Sequence, residues 1–198
     1  MKKKRLFDLI LAIPGLLVLA PILFFIAVWI KLDSKGPVLF KQKRVGHKEK
    51  YFYVYKFRTM VPDAEKKGLQ LTTAEDIRVT RPGKFLRKYK LDELPQLINV
   101  LKGEMSLVGP RPEVPRYVEH YPDSMRKIIF SVPPGITDLA SIEFKDENTL
   151  LQESRNPEET YIREILPIKL TYYTEYVRNR SVKGDIKIIL KTIKSLLC

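Results

Sequence analysis

Leu9-Ile-Leu-Ala-Ile-Pro-Gly-Leu-Leu-Val-Leu-Ala-Pro-Ile-Leu-Phe-Phe-Ile-Ala-Val-Trp-Ile30 carries no charged residue over 22 positions. Drawn as a straight helix it would reach about 33 Å, against a hydrocarbon core of about 30 Å. It is apolar on every face, which disfavours a helix in a soluble core. A cleaved leader fits poorly, because Lys-Leu-Asp-Ser-Lys (31–35) follows instead of a small-residue cleavage site. Two features argue against a simple crossing. Pro21 sits mid-run, after Pro14-Gly15, and an interior proline removes a helix hydrogen bond and crowds the preceding turn. Both flanks are basic: Lys2, Lys3, Lys4 and Arg5 before the run, Lys31, Lys35, Lys41, Lys43 and Arg44 after it. Basic flanks stay in the cytoplasm. The pattern predicts a helix that bends at Pro21 and returns to the face it entered, with Trp29 as an interfacial anchor. A single span kinked at proline is the alternative.

Outward from this run, the charge follows the same logic. Thirteen Lys and Arg against three acids in residues 1–60 place +10 of the chain's +13 around the most apolar stretch. A nucleic-acid binder has no reason to wrap its charge there, whereas anionic headgroups attract basic residues by about 1 kcal/mol each. The expectation is membrane lipid and no nucleic acid. The one cysteine, Cys198, permits no intrachain disulfide, which fits a reducing compartment. The sequence divides into a basic segment and membrane helix, 1–35, and a domain over 36–198 large enough for its own core.

In that domain, residues 38–45 and Tyr51–Met60 read as two strands around a Gly46-His47-Lys48 turn. Alternation puts Tyr51, Tyr53, Tyr55 and Phe57 on one face and Lys56 and Arg58 on the other, where paired cations suit an anionic ligand. Residues 61–82 read as loop or short helix. Leu91, Leu94, Leu97, Ile98 and Leu101 recur at helical spacing, with Pro95 in the first turn and Gly103 at the end. Asp92 and Glu93 then lie at a helix N-terminus, as capping acids or as a reactive pair. Pro110 and Pro112 brace Arg111, preorganising a guanidinium for phosphate. Pro157–Arg180 reads helical. Val182–Leu197 is a basic amphipathic helix whose Ile186, Ile189, Leu190, Ile193 and Leu197 face suits either a bilayer surface or the protein's own core.

Lys-Arg-Leu-Phe-Asp (4–8), the apolar run with Pro21, Lys-Leu-Asp-Ser-Lys-Gly-Pro-Val (31–38), Lys-Phe-Arg-Thr-Met (56–60), Leu91 through Pro112, Pro-Gly-Ile-Thr (134–137) and Tyr-Val-Arg-Asn-Arg-Ser (176–181) together resemble the bacterial sugar transferase family, the small monotopic polyprenyl-phosphate phosphoglycosyl transferases. The resemblance spans nearly the whole chain, at the length of the catalytic core without the extra membrane spans of larger relatives. It implies an α+β, mostly helical monotopic membrane protein with a re-entrant N-terminal helix, a small β-hairpin and interfacial amphipathic helices. Lys4, Arg5, Asp8, Pro21 and Trp29 would be its membrane residues. It further implies an enzyme of the bacterial inner membrane, with its catalytic domain on the cytoplasmic face. Asp92 would attack the β-phosphorus of a UDP-sugar and release UMP. The phosphosugar would then pass to a polyprenyl phosphate such as undecaprenyl phosphate. Glu93 would help Asp92 hold Mg²⁺ or the acceptor phosphate, and Lys56, Arg58, Arg87 and Arg111 would surround the phosphates. A homo-oligomer is compatible with the sequence. The alternative from another class is a non-catalytic peripheral membrane adaptor that binds anionic lipid.

The chain departs from the family's usual pattern in four places. Ala20 stands where a Ser usually precedes the helix-breaking Pro, removing a hydroxyl that supports the bend. Asp138 and Ser141 replace a usual Gly and Gln, a downstream Gly-Arg pair is missing, and Tyr173 replaces a usual Asp. The dyad is untouched. The last three changes fall on the nucleotide-sugar side, so the resemblance does not name the sugar.

Overall fold

The computed structural model describes residues 2–62, 64 and 76–197. Most of the expected 61–82 loop, and Cys198, lie outside them. Helix α1 (Lys2–Asp33) is followed by the antiparallel hairpin β1 (Leu39–Val45) and β2 (Tyr51–Phe57), then by α2 (Arg81–Lys88). A 3₁₀ turn (Leu91–Glu93) precedes α3 (Gln96–Lys102), β3 (Ser106–Val108), α4 (Pro115–Val118), α5 (Asp123–Ile129) and β4 (Gly135–Thr137). Four further helices follow: α6 (Leu139–Glu143), α7 (Glu147–Glu153), α8 (Pro157–Thr160) and, after a π turn, α9 (Leu166–Asn179). The last is α10 (Val182–Leu197). The fold is α+β and mostly helical, with two small two-stranded sheets, β1–β2 and the parallel β3–β4. The β3–β4 pair needs Gly135, because a Cβ there would come within 2.1 Å of the Gly109 nitrogen.

Helix α1 is unbroken through Pro14 and Pro21. At about 1.5 Å per residue its 32 residues reach about 48 Å, longer than a bilayer core needs. Both of its ends rest on the same domain. Near the start, Arg5 donates to the Val100 carbonyl and, at 2.7 Å, to the Leu101 carbonyl. Lys4 bridges Asp8 (3.1 Å) and Asp185 (2.7 Å). Asp8, itself buried, accepts from the Ser106 hydroxyl and the Leu107 N–H. Ala12 packs with Val54, Val100 and Met105. Near the other end, Ile26 and Ile30 pack with Phe57 and Leu86.

Between these contacts no residue from 13 to 25 is buried, and Leu17, Val18 and Phe25 are at least 70% exposed. The residues of α1 that are buried are 8, 12, 26 and 30, spaced by four within each pair, and most of the apolar stretch between them is exposed, although Leu23 still packs against the Phe57–Leu86 cluster. A water-soluble surface does not carry so large an apolar patch.

Helix α10 packs on the domain through a side other than most of the apolar face read from its pattern. It docks through Asp185 and Ile188, both buried, and through Thr192, whose hydroxyl bonds that of Thr137 at 2.7 Å. That leaves Val182, Ile186, Leu190 and Ile193 exposed on its outer side. The remaining core gathers Val114, Tyr117, Val118, Ile129, Leu151, Tyr161, Leu166 and Leu170 under α9.

Candidate active site

Asp92 and Glu93 sit on the 3₁₀ turn and not inside the first turn of a helix starting near Leu91, because α3 begins only at Gln96, after Pro95. Lys90 enters the turn with φ 54°, left-handed for a non-glycine residue at a cost of about 1 kcal/mol. This reversal folds α2 back beside the dyad. The wholly buried Asn99 ties the same segment to β2. Its Oδ1 accepts from the Tyr55 N–H at 3.0 Å, and its Nδ2 donates at 2.8 Å to the Tyr53 carbonyl and to Glu104. The amide thus closes the free edge of β2 and delivers the next residue, Lys56, to the dyad.

Two adjacent acids have opposite surroundings. Glu93 is gripped by both cations: Lys56 Nζ lies 2.8 Å from Oε1, while Arg111 bonds both carboxylate oxygens, one at 3.1 Å and the other closer. Burial alone would raise its carboxyl, but Arg111 and then Lys56 outweigh burial and hold it well below the usual range. In return, Glu93 raises Arg111. Burial pulls Lys56 down against the opposing pull of Glu93. Asp92 is 8% exposed and accepts no hydrogen bond among the described residues. Burial, and then the Glu93 charge, raise its carboxyl, with Lys56 and Arg87 opposing. Glu93 is therefore the acid held by two cations, and Asp92 the one left without a hydrogen bond among the described residues.

Arg87, half-buried on α2, lies within electrostatic reach of Asp92 and donates from Nε to the Thr59 hydroxyl at 2.8 Å. Burial lowers its pKa from the usual arginine value. Arg58 is not brought to this cluster. Strand β2 ends at Phe57, so the predicted alternation stops one residue short and Arg58 turns the other way. Its guanidinium caps the end of α1, donating to the carbonyls of Ser34 and Lys35 (2.8 Å each) and Ile30 (3.4 Å) and to the Ser34 hydroxyl (3.0 Å). Ser34 and Lys35 lie just past the last helical residue, Asp33, so the guanidinium ties down the chain where α1 ends. The Lys-Phe-Arg-Thr-Met segment thus splits its work: Lys56 to Glu93, Arg58 to the apolar helix, Thr59 to Arg87.

Asn99 and Thr59 were not singled out from the sequence. Both lie within conspicuous motifs, but a neutral side chain carries no charge pattern to mark it. The departures Asp138 and Tyr173 prove to be neighbours behind Arg111. Both are buried and within electrostatic reach of it and of each other. Asp138 is pushed up by burial, and it caps α6 by accepting from the Ser141 N–H at 2.9 Å. Among the membrane residues, Trp29 lies edge-to-face on Phe85 at 5.6 Å, and Phe85 lies 4.8 Å from Tyr89. All three rings are exposed.

Among the described residues no group of three or more His, Cys, Asp or Glu could cage a metal. The dyad therefore offers at most two carboxylates, a donor set that suits Mg²⁺ only when phosphate oxygens complete its shell.

A long apolar helix held near both ends by one domain, beside a buried acid pair with Lys56, Arg87 and Arg111 around it, describes a membrane-associated protein. A family model described as Bacterial sugar transferase matches residues 1–198, and the chain belongs to that family. It is 44% identical to an undecaprenyl-phosphate glucose phosphotransferase of Komagataeibacter xylinus, over 98% of this chain and 36% of that protein. It is 38% identical to a UDP-N-acetylgalactosamine-undecaprenyl-phosphate N-acetylgalactosaminephosphotransferase of Aeromonas hydrophila, over 98% of this chain and 43% of that protein. It is 41% identical to the exopolysaccharide production protein PSS of Rhizobium leguminosarum bv. phaseoli, over 98% of this chain and 94% of that protein. The chain thus spans less than half the length of the first two and nearly all of the third.

Proposed function

We propose that the protein is a phosphoglycosyl transferase that moves a sugar 1-phosphate from a UDP-sugar to undecaprenyl phosphate through a covalent aspartyl intermediate. The observation that carries this reading is the division of labour in the dyad. Glu93 is neutralised by Arg111 and Lys56, while Asp92 keeps a carboxylate without a hydrogen bond among the described residues, beside Arg87. A carboxylate nucleophile splits one difficult phosphoryl transfer into two. A carboxylate oxygen of Asp92 bonds to the β-phosphorus of the donor as the bond to the departing UMP breaks. A phosphate oxygen of the acceptor then bonds to the same phosphorus, the aspartyl–phosphorus bond breaks, and Asp92 is restored. Arg87, Arg111 and Lys56 hold the phosphate oxygens and offset charge, which is most of what phosphoryl transfer asks of a protein. Mg²⁺ held by Asp92 and Glu93 together with substrate phosphates would add charge neutralisation. The sugars in the relatives' names differ, glucose in one and N-acetylgalactosamine in another, so the donor sugar is to be found by screening.

The same reading places α1 in the cytoplasmic leaflet of the bacterial inner membrane, with the domain on the cytoplasmic face. A helix whose two ends are both held by one domain enters and leaves by the same side. Its free middle, the exposed Trp29–Phe85–Tyr89 aromatics and the outer side of α10 supply the apolar and aromatic surface for headgroup depth. Here a soluble nucleotide sugar and a lipid phosphate reach one site.

Purified protein incubated with Mg²⁺, undecaprenyl phosphate and a panel of UDP-sugars is expected to release UMP with at least one sugar. No UMP from any of them, with the protein folded, favours the anionic-lipid adaptor. In intact spheroplasts, single cysteine tags placed before Lys2 or after residue 198 in a Cys198→Ser background are expected to be equally shielded from an impermeant maleimide and equally labelled after lysis. Labelling of only one tag before lysis overturns the re-entrant arrangement.

A further inference from the structure

Four cations were candidates for phosphate, and three of them are already engaged by the protein. Lys56 and Arg111 hold Glu93, and Arg58 holds the end of α1. Arg87 makes one hydrogen bond among the described residues, from Nε to the Thr59 hydroxyl, so its two terminal nitrogens have no hydrogen-bond partner there. Thr59 is itself buried at 7% exposure and immobilised from the other side. Its carbonyl accepts from the Thr80 N–H at 2.9 Å and from the Thr80 hydroxyl at 3.3 Å. Gly83 of α2 lies directly on that carbonyl, where a Cβ would come within 2.0 Å. The residue that bonds Arg87 is therefore locked to the helix that carries Arg87.

We infer that Thr59 is a positioning residue, whose hydroxyl fixes the plane of the Arg87 guanidinium so that both terminal nitrogens stand ready for the diphosphate of a nucleotide sugar. The inference rests on the proposed reaction for its ligand. A guanidinium binds phosphate best as a two-pronged fork, and its contribution grows when the fork is oriented before the ligand arrives. The Nε tether supplies that orientation and uses the one donor the fork does not need. Thr59→Val keeps the shape and removes the acceptor, freeing the guanidinium to rotate and leaving its Nε–H unpaired.

The test reads UDP binding by calorimetry on detergent-purified protein, so it does not depend on turnover. Thr59→Val is expected to weaken UDP binding about tenfold, in the range of a hydrogen bond to a charged group. Thr59→Ser is expected to restore it to within about twofold, since the acceptor returns. In an Arg87→Met background, Thr59→Val is expected to add nothing, because residues that act as a unit are not additive. Unchanged affinity in Thr59→Val overturns the inference. So does a loss in Thr59→Ser equal to that in Val, or a full loss still present without Arg87. Should the Val variant not fold, Thr59→Ser and Thr59→Ala carry the same comparison. Wild-type protein that binds UDP with these dependences but releases no UMP would sink the proposed reaction and leave the positioning role standing.

Discussion

Asp92→Asn is expected to lower UMP release by on the order of 10⁴-fold or more, the scale seen when a covalent nucleophile is removed, while the melting temperature stays level or rises. The two halves of this result have one cause. Asn has nearly the shape of Asp, so packing at the buried site is kept, but its amide cannot form the bond to phosphorus. The stability half follows from the raised carboxyl of Asp92, set by burial and by Glu93. A carboxyl whose folded pKa lies above its unfolded value favours folding while protonated, and that contribution is lost as pH rises through the folded value. Above that folded value the native state carries an ionised group it would hold more easily neutral, and Asn relieves it. Parallel assays of UMP release and thermal unfolding check the pair. Retained turnover removes Asp92 from the chemistry. Lost turnover together with a large drop in melting temperature would make it a structural acid.

The sequence reveals the parts of this molecule that depend on composition, and hides those that depend on where an element stops. The uncharged run and its basic flanks were legible because the apolar stretch is long and its charge borders are sharp. The hairpin, α3 (Gln96–Lys102) and the amphipathic tail were legible from periodicity. Arg58 was misplaced because alternation along a strand says nothing about the residue at which the strand ends. One position beyond Phe57 the side chain points to the carbonyls that follow α1. The dyad was placed on a helix for a similar reason, since a 3₁₀ turn and an α-helix share apolar spacing over four residues. The sequence also could not say which side of α10 docks. The buried side holds an acid, Asp185, whose partners Lys4 and Tyr176 come from elements far away in the chain or on a neighbouring helix. Hydropathy alone would have turned that acid outward.

Glu93→Gln is expected to behave in the opposite way to Asp92→Asn, losing stability as well as activity. In the native protein one carboxylate serves two cations, Lys56 and Arg111, in a cluster where Glu93 is 14% exposed, Lys56 18% and Arg111 31%. A neutral amide can accept hydrogen bonds from them but cannot balance their charge, and it brings an NH₂ group against one of them. Removing one partner of a buried ion pair costs about 3–5 kcal/mol, and the partial exposure of Arg111 puts this site at about 3 kcal/mol, at the lower end. The pH dependence separates lost charge from lost packing. Glu93 titrates well below the usual range, so its contribution is full above the ordinary glutamate pKa and is lost as pH falls through the depressed folded value. The stability gap between wild type and Glu93→Gln is therefore expected to be widest near neutral pH and to close in acid, as measured by urea unfolding at a series of pH values. A gap that stays constant with pH would trace the loss to packing. Turnover is expected to fall about 100-fold, the cost of displacing groups that hold a reacting phosphate, because Lys56 and Arg111 repel each other once the acid between them is gone. The two neighbouring substitutions then divide cleanly. One leaves a stable protein without a nucleophile, and the other leaves the nucleophile in place among cations that no longer hold their positions. A Glu93→Gln protein as stable and active as wild type would mean that Arg111 and Lys56 do not depend on this carboxylate for their placement.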